Sequence, residues 1–236
     1  MPDQETAAGP ADDQQIAATR VFLIRHGESE SNAGLPSATA DSAPLTPRGR
    51  WQAEQVARVI AEAPALIVTS PFRRARQTAE PTVSRFPSAA WQVWPVQEFT
   101  YLGDLYGRSS TASEREPQVR AYWDQANPGR RHSDSSESFT DLLSRSSDCL
   151  SRLSAQQPGP IVVFTHGIFM RAVAWSLLTG ITTPRQEEMR AFRRFADRYL
   201  VPNTGVIELR CAGREAPALM GACAMHLPGA HAPWSQ

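Results

Sequence analysis

The chain has no lysine: all 24 of its basic residues are arginine. Coding bias toward GC-rich codons accounts for that simply, but the consequence is chemical. Schiff-base formation and lysine nucleophiles are excluded. Cysteine is scarce, with only Cys149, Cys211 and Cys223. An odd, sparse set argues against a disulfide framework and for a reducing compartment, with Cys149 read as core packing. No apolar run approaches the length of a membrane span. Net charge is absent too, with 24 acidic residues against 24 basic. No global field therefore recruits nucleic acid or a membrane surface. Residues 1–19 are acidic and rich in Ala and Gln, without the basic and apolar regions of a leader, and read as a disordered tail. The expected localisation is cytoplasmic.

What is present is an α/β pattern over 236 residues, enough for one domain with a sizeable core. Short apolar runs at Arg20–Arg25, Ala65–Thr69, Trp91–Trp94 and Ile161–Thr165 read as buried strands. Helices are expected from Pro47 to about Glu62 behind a Thr46 cap, and from Ser70-Pro71 to Ala79. Further helices are expected at Ser113–Ala126, Phe139–Leu153, Ile168–Thr179 and Pro184–Ala196. Tyr199–Val201 and Gly205–Leu209 read as two strands about a turn at Pro202-Asn203-Thr204. Residues 212–236 are rich in Ala, Gly and Pro and read as a loose tail. The expected fold is a three-layer sandwich, a mostly parallel central sheet flanked by helices on both faces. The working domain is then 20–211, with an insertion or lid at about 99–137.

In such a sheet, ligands bind at the carboxyl ends of the strands. Four clusters fall there: Arg25-His26, Ser70 to Arg74, Glu98 and His166-Gly167. A single histidine after a strand is most often a turn or core residue. Two histidines, each closing a strand and each followed by glycine, are harder to explain that way. A metal site lacks a third ligand at metal spacing, and Arg25 beside His26 would repel a cation. Arg73, Arg74 and Arg76 could be a solvated helix face. They sit in the first turns, however, where the macrodipole disfavours cations unless an anion is close. Either Arg73 or Arg74 is thus a candidate phosphate clamp.

Arg25-His26-Gly27-Glu28 with Asn32, then Ser-Pro-x-x-Arg-Ala-x-Gln-Thr from Ser70, Glu98 in a mid-chain loop and a late strand ending in His166-Gly167 together resemble the histidine phosphatase (phosphoglycerate mutase-like) superfamily. The resemblance runs from Val21 to Leu209. It implies that His26 is a nucleophile that becomes phosphohistidine, and that Arg74 rather than Arg73 is the clamp. Arg25, Arg74, His166 and Asn32 would surround the phosphoryl oxygens. Glu98 would be the general acid, with Asp104 its nearby competitor. Ser29 and Gly27 would orient His26, and Gly167 would border the phosphate. Glu137-Ser138 matches an element whose role in relatives is structural or peripheral to substrate. No cofactor or metal is implied.

The implied activity is metal-independent hydrolysis of a small phosphomonoester. Alternatives are a cofactor-dependent mutase or a catalytically silent phosphate-binding module. The Arg-Arg-Ser-Tyr type element of true mutases is not evident after Glu98, and Arg130-Arg131-His132 is a weak substitute. Phe99, Tyr101, Leu102, Tyr106, Arg108 and Arg115 are candidates to line the entrance, core or lid packing being the alternative for the aromatics. Oligomeric state is silent.

Overall fold

The computed structural model describes residues 18–36, 39–103, 110–212 and 216–223. Within them the order is β1 (Thr19–Arg25), α1 (Pro47–Val59), β2 (Leu66–Thr69), α2 (Arg73–Arg85), β3 (Ala90–Val93), α3 (Ala112–Gln125), α4 (Phe139–Ser154), β4 (Ile161–Thr165), α5 (Gly167–Thr179), α6 (Gln186–Arg198), β5 (Val206–Cys211) and β6 (Ala218–Cys223). The strands make one sheet in the order β3-β2-β4-β1-β5-β6. The first four strands run parallel, β5 is antiparallel to β1, and β6 is antiparallel to β5.

Burial follows this order. Every residue of central β2 and β4 is buried, whereas all four residues of edge strand β3 are exposed. Side chains alternate between the two faces, as strand geometry requires. Val21 and Leu23 join a large core with Phe139, Phe169, Met189 and Phe192, from α4, α5 and α6. Ile24, Val162 and Phe164 pack with Val56 of α1 and Ala79 of α2 on the opposite face. Helices cover both faces of a mixed sheet. Cys149 lies in the larger core, where burial pushes its thiol up to about 12 and removes any reactivity. Among the described residues no helix is long and apolar enough to cross a membrane.

Several expectations need correction. Helix α2 runs past Ala79 to Arg85 with Pro81 inside it. Thr82 is fully buried and Val83 packs on the sheet, so tertiary contacts outweigh the lost donor at Pro81. Residues 199–201 are not a strand. Their carbonyls are satisfied by arginine side chains instead: Arg171 Nε donates to Tyr199 O at 2.8 Å and Arg25 to Val201 O at 2.6 Å. Residues 218–223 are not a loose tail but the edge strand β6. Residues 1–17 and 224–236, together with Asp104, Tyr106 and Arg108, lie outside the described residues.

The segment after Glu98 also differs from an entrance lining. Phe99 and Leu102 are each only 2% exposed. Phe99 packs on Tyr101, and Tyr101 on Tyr122 of α3 with ring centroids 4.5 Å apart. Arg115 is buried and donates to the carbonyl and hydroxyl of Ser110.

Candidate active site

Strands β1 and β4 are adjacent and parallel, with Arg25 opposite Thr165. The residue after each therefore emerges at the same end of the sheet, and these residues are His26 and His166. Their ring centroids lie 5.0 Å apart, and both side chains are buried. His26 Nδ1 is 2.7 Å from Gly27 O, so Nδ1 carries the proton and Nε2 keeps its lone pair. Arg74 Nε donates to that Nε2 at 3.1 Å. Arg74 also donates to Ala40 O at 2.6 Å and is 7% exposed, while Arg73 one residue earlier faces solvent. The sheet end thus selects Arg74 from the arginine run.

His166 caps α5 without using its side chain for capping. Its Nε2 lies 2.8 Å from Ser70 Oγ, which also accepts from Phe72 N at 3.2 Å. The serine hydroxyl proton is then free to donate to Nε2, which leaves the imidazole proton on Nδ1. That Nδ1 is buried with no partner, and so is Arg25 Nε. Buried donors are nearly always satisfied, and an anion at this end of the sheet would pair both. The guanidinium of Arg25 lies against Gly167, where an added Cβ would come within 3.4 Å of Nε. The first turns of α2 and α5 both open here and add their positive ends.

Burial, reinforced by Arg74 and then Arg25, holds His26 well below the usual histidine range, against the pull of its Gly27 hydrogen bond. Burial and the same cations, with His26 itself, depress His166 as well. Both rings are accordingly neutral. Burial likewise pushes Arg25 down to about 10, opposed by the nearby Glu98 carboxylate. Glu98 sits across the α5 N-terminus. It accepts from Phe99 N at 3.0 Å and from Ile168 N at 3.1 Å.

Among the described residues Ser29 makes no hydrogen bond to the His26 side chain. It is fully buried and exchanges hydrogen bonds with Asn32, its hydroxyl donating to Asn32 Oδ1 at 3.2 Å, and so shapes the loop rather than the nucleophile. Asn32 Oδ1 also accepts from Asn203 Nδ2 at 3.1 Å, which leaves the Asn32 amide NH2 as its end available to an anion. Two further neighbours of His26 come from the Pro202-Asn203-Thr204 turn. Asn203 Nδ2 reaches His26 O at 3.0 Å, and Thr204 N donates to Arg25 O at 3.0 Å from a left-handed backbone (φ 57°). The Pro202-Asn203-Thr204 turn signal was visible, but nothing local shows a turn nearly 180 residues away closing under His26. Ser70 lay within the arginine-bearing motif without a role of its own. A separate apolar trough of about 470 Å³, lined by Phe22, Ile24, Val56 and Val206, lies on the α1 face and contains none of these groups.

A family model described as the histidine phosphatase superfamily (branch 1) matches residues 21–215. Glucosyl-3-phosphoglycerate phosphatase of Mycolicibacterium vanbaalenii is 31% identical over 169 residues, which cover 67% of this chain and 74% of that protein. A probable phosphoglycerate mutase of Photorhabdus laumondii is 31% identical over 176 residues, covering 72% and 80%. The solved structure of a mycobacterial glucosyl-3-phosphoglycerate phosphatase superposes with a TM-score of 0.64 at 24% identity, over 86% of this chain and 96% of that one.

Proposed function

The chain belongs to the histidine phosphatase superfamily as a phosphoric monoester hydrolase, and we propose that it works through a phosphohistidine on His26 with Glu98 as proton carrier. The observation that carries this reading is the pair of orphaned buried donors, Arg25 Nε and His166 Nδ1, beside a neutral His26. A phosphate placed among them takes hydrogen bonds that nothing else in the site supplies. Its oxygens draw the Arg74 guanidinium off His26 Nε2 and free the lone pair. Asn32 and Gly167 complete the rim.

The two steps balance with protein groups alone. His26 Nε2 forms a bond to phosphorus as the ester P–O bond breaks in line, with the arginines stabilising charge on the equatorial oxygens. The leaving oxygen takes a proton from Glu98. Phosphate charge arriving beside His166 favours imidazolium there. Water then attacks the phosphoryl group as Glu98 accepts its proton. The P–N bond breaks and its electron pair returns to Nε2.

A mutase reading has one favouring observation, the relative of that name. Against it, Phe99-Thr100-Tyr101 follows Glu98, and Arg131 is engaged in an exposed ion pair with Asp141 at 2.9 Å rather than aimed at the site. Against a silent module, the sequence keeps His26, Arg74, Glu98 and His166, loss of any of which would be that module's mark. The substrate class is a small phosphorylated metabolite, and phosphorylated glycerates head the panel to screen. A cytoplasmic location belongs to the same reading, and the odd, sparse set of cysteines supports it.

The test is p-nitrophenyl phosphate with and without EDTA. Steady release insensitive to EDTA and blocked by vanadate, together with an acid-labile phosphoryl group trapped on the wild type and absent from His26→Ala, is the expected result. Full turnover by His26→Ala would end the reading. Dependence on a bisphosphate primer would replace it with the mutase.

A further inference from the structure

One arginine outside the phosphate site carries an unusual number of well-formed bonds. Arg145 of α4 grips Glu137 with both arms of its fork, Nε to Oε1 at 2.7 Å and Nη2 to Oε2 at 2.8 Å. Its remaining nitrogen, Nη1, donates to Pro95 O and to Gln97 O, each at 2.9 Å. The side chains of Arg145 and Glu137 are only 11% and 13% exposed. An ion pair so placed gains little net stability over an apolar pair, because desolvation offsets the attraction. Its directional bonds therefore ask for a use other than holding the fold together.

Those bonds converge on the supports of Glu98. The two carbonyls taken by Nη1 flank Val96, whose own carbonyl accepts from Thr165 Oγ1 of β4 at 2.5 Å. Three successive carbonyls leading into Glu98 are thus fixed from two sides. Beyond Glu98, Glu137 N donates to Thr100 O at 3.3 Å, so the same acidic residue holds the chain on the far side. The Arg145 guanidinium also lies over the ring of Phe169, 4.9 Å from its centroid. Phe169 follows Ile168, whose N–H holds the Glu98 carboxylate.

We propose that the Arg145–Glu137 pair is a strut that positions Glu98 for proton transfer, Arg145 being a positioning residue rather than a catalytic one. This rests on the reading of Glu98 as general acid. The planar fork is what lets one side chain bind a carboxylate and two carbonyls together. A lysine ammonium, a single point charge, lacks that geometry.

The test exploits leaving groups. Nitrophenolate departs without a proton, whereas the alkoxide of β-glycerophosphate needs one. The specificity constant kcat/KM reports only events up to the first irreversible bond cleavage, so it isolates the acid step from the later water attack. We compare Arg145→Lys and Glu98→Gln with the wild type on both substrates. Arg145→Lys is expected to lower kcat/KM on β-glycerophosphate about tenfold more than on p-nitrophenyl phosphate, a part of the roughly 10²–10⁴-fold that general acid catalysis supplies. Glu98→Gln is expected to separate the substrates further in the same direction. If Glu98→Gln separates them and Arg145→Lys slows both equally, the strut is overturned and the acid stands. If Glu98→Gln does not separate them, the acid assignment fails and the strut loses its object. Should thermal melting show that Arg145→Lys does not fold, Glu137→Gln carries the same comparison, since it loosens the fork while leaving both carbonyl bonds available.

Discussion

Arg74 Nε donates to His26 Nε2 at 3.1 Å, so the proposed clamp holds the lone pair that the proposed attack would use. Substrate must take over that guanidinium before attack can begin. Removing it uncaps His26 but also removes the charge that stabilises the transferring phosphoryl group, and the second effect should dominate. Arg74→Gln is expected to lower kcat/KM on p-nitrophenyl phosphate on the order of 10²–10³-fold. Arg73→Gln, at an exposed position one residue away, should leave it nearly unchanged. Equal losses in the two variants would contradict the assignment of Arg74.

His166 is held neutral by its surroundings and is expected to take a proton when phosphate binds. Burial and the neighbouring cations hold it low; a phosphate dianion reverses the balance of charge. Phosphate binding at pH 7.5 should therefore take up about one proton or less per site, read from calorimetric enthalpies in buffers of different ionisation heat. His166→Asn should reduce that uptake. Identical proton counts for the two proteins would assign the linkage elsewhere.

The parts of this site legible in the sequence were those encoded locally. Ile161–Thr165 reads as a buried strand because it is a short apolar run, and Arg20 to Arg25 reads likewise. Two strand ends of the same form then implied neighbouring histidines. What stayed hidden depends on distant partners. Val201 looks like a strand residue, yet its carbonyl belongs to Arg25. Ala218–Cys223 has no β-branched residue to mark it, and becomes a strand only because β5 offers an edge. Arg145 reads as one more polar position on an amphipathic helix until the fold delivers Pro95 and Gln97 to it.

Both histidines should make the fold acid-sensitive. Their folded-state values lie below the unfolded value of about 6.5, so as pH falls below 6.5 the unfolded chain binds protons that the native one refuses. Stability is full above that pH. It falls by up to about 1.4 kcal/mol per pH unit for each histidine until the folded-state values are reached. Urea midpoints measured from pH 7.5 down to 5 should drop accordingly. The double variant His26→Gln/His166→Gln should show a shallower slope; an unchanged slope would mean that other groups carry the acid response.

Gly49 offers a test of how rigidly His26, the proposed nucleophile, is seated. It lies in the first turn of α1, where replacing glycine with alanine ordinarily stabilises a helix by up to about 1 kcal/mol. Here the added methyl would overlap the carbonyl of Glu28, and a Cβ on Gly27 would in turn meet Gly49 O at 2.6 Å. The same contact zone holds Glu28 N to Gln52 Oε1 at 2.8 Å and Thr46 N to Glu28 O at 3.0 Å, so the loop cannot retreat without breaking them. Gly49→Ala should therefore reverse the helical expectation and cost about 1–3 kcal/mol in a urea melt. Because the displaced backbone begins two residues after His26, folded Gly49→Ala should also lose turnover, and a shift of about 1 Å at the attacking nitrogen is enough for roughly 10²-fold. A variant as stable and as active as the wild type would show that the loop yields, and that His26 is held by Gly27 O, Arg74 and the Asn203 turn without help from α1.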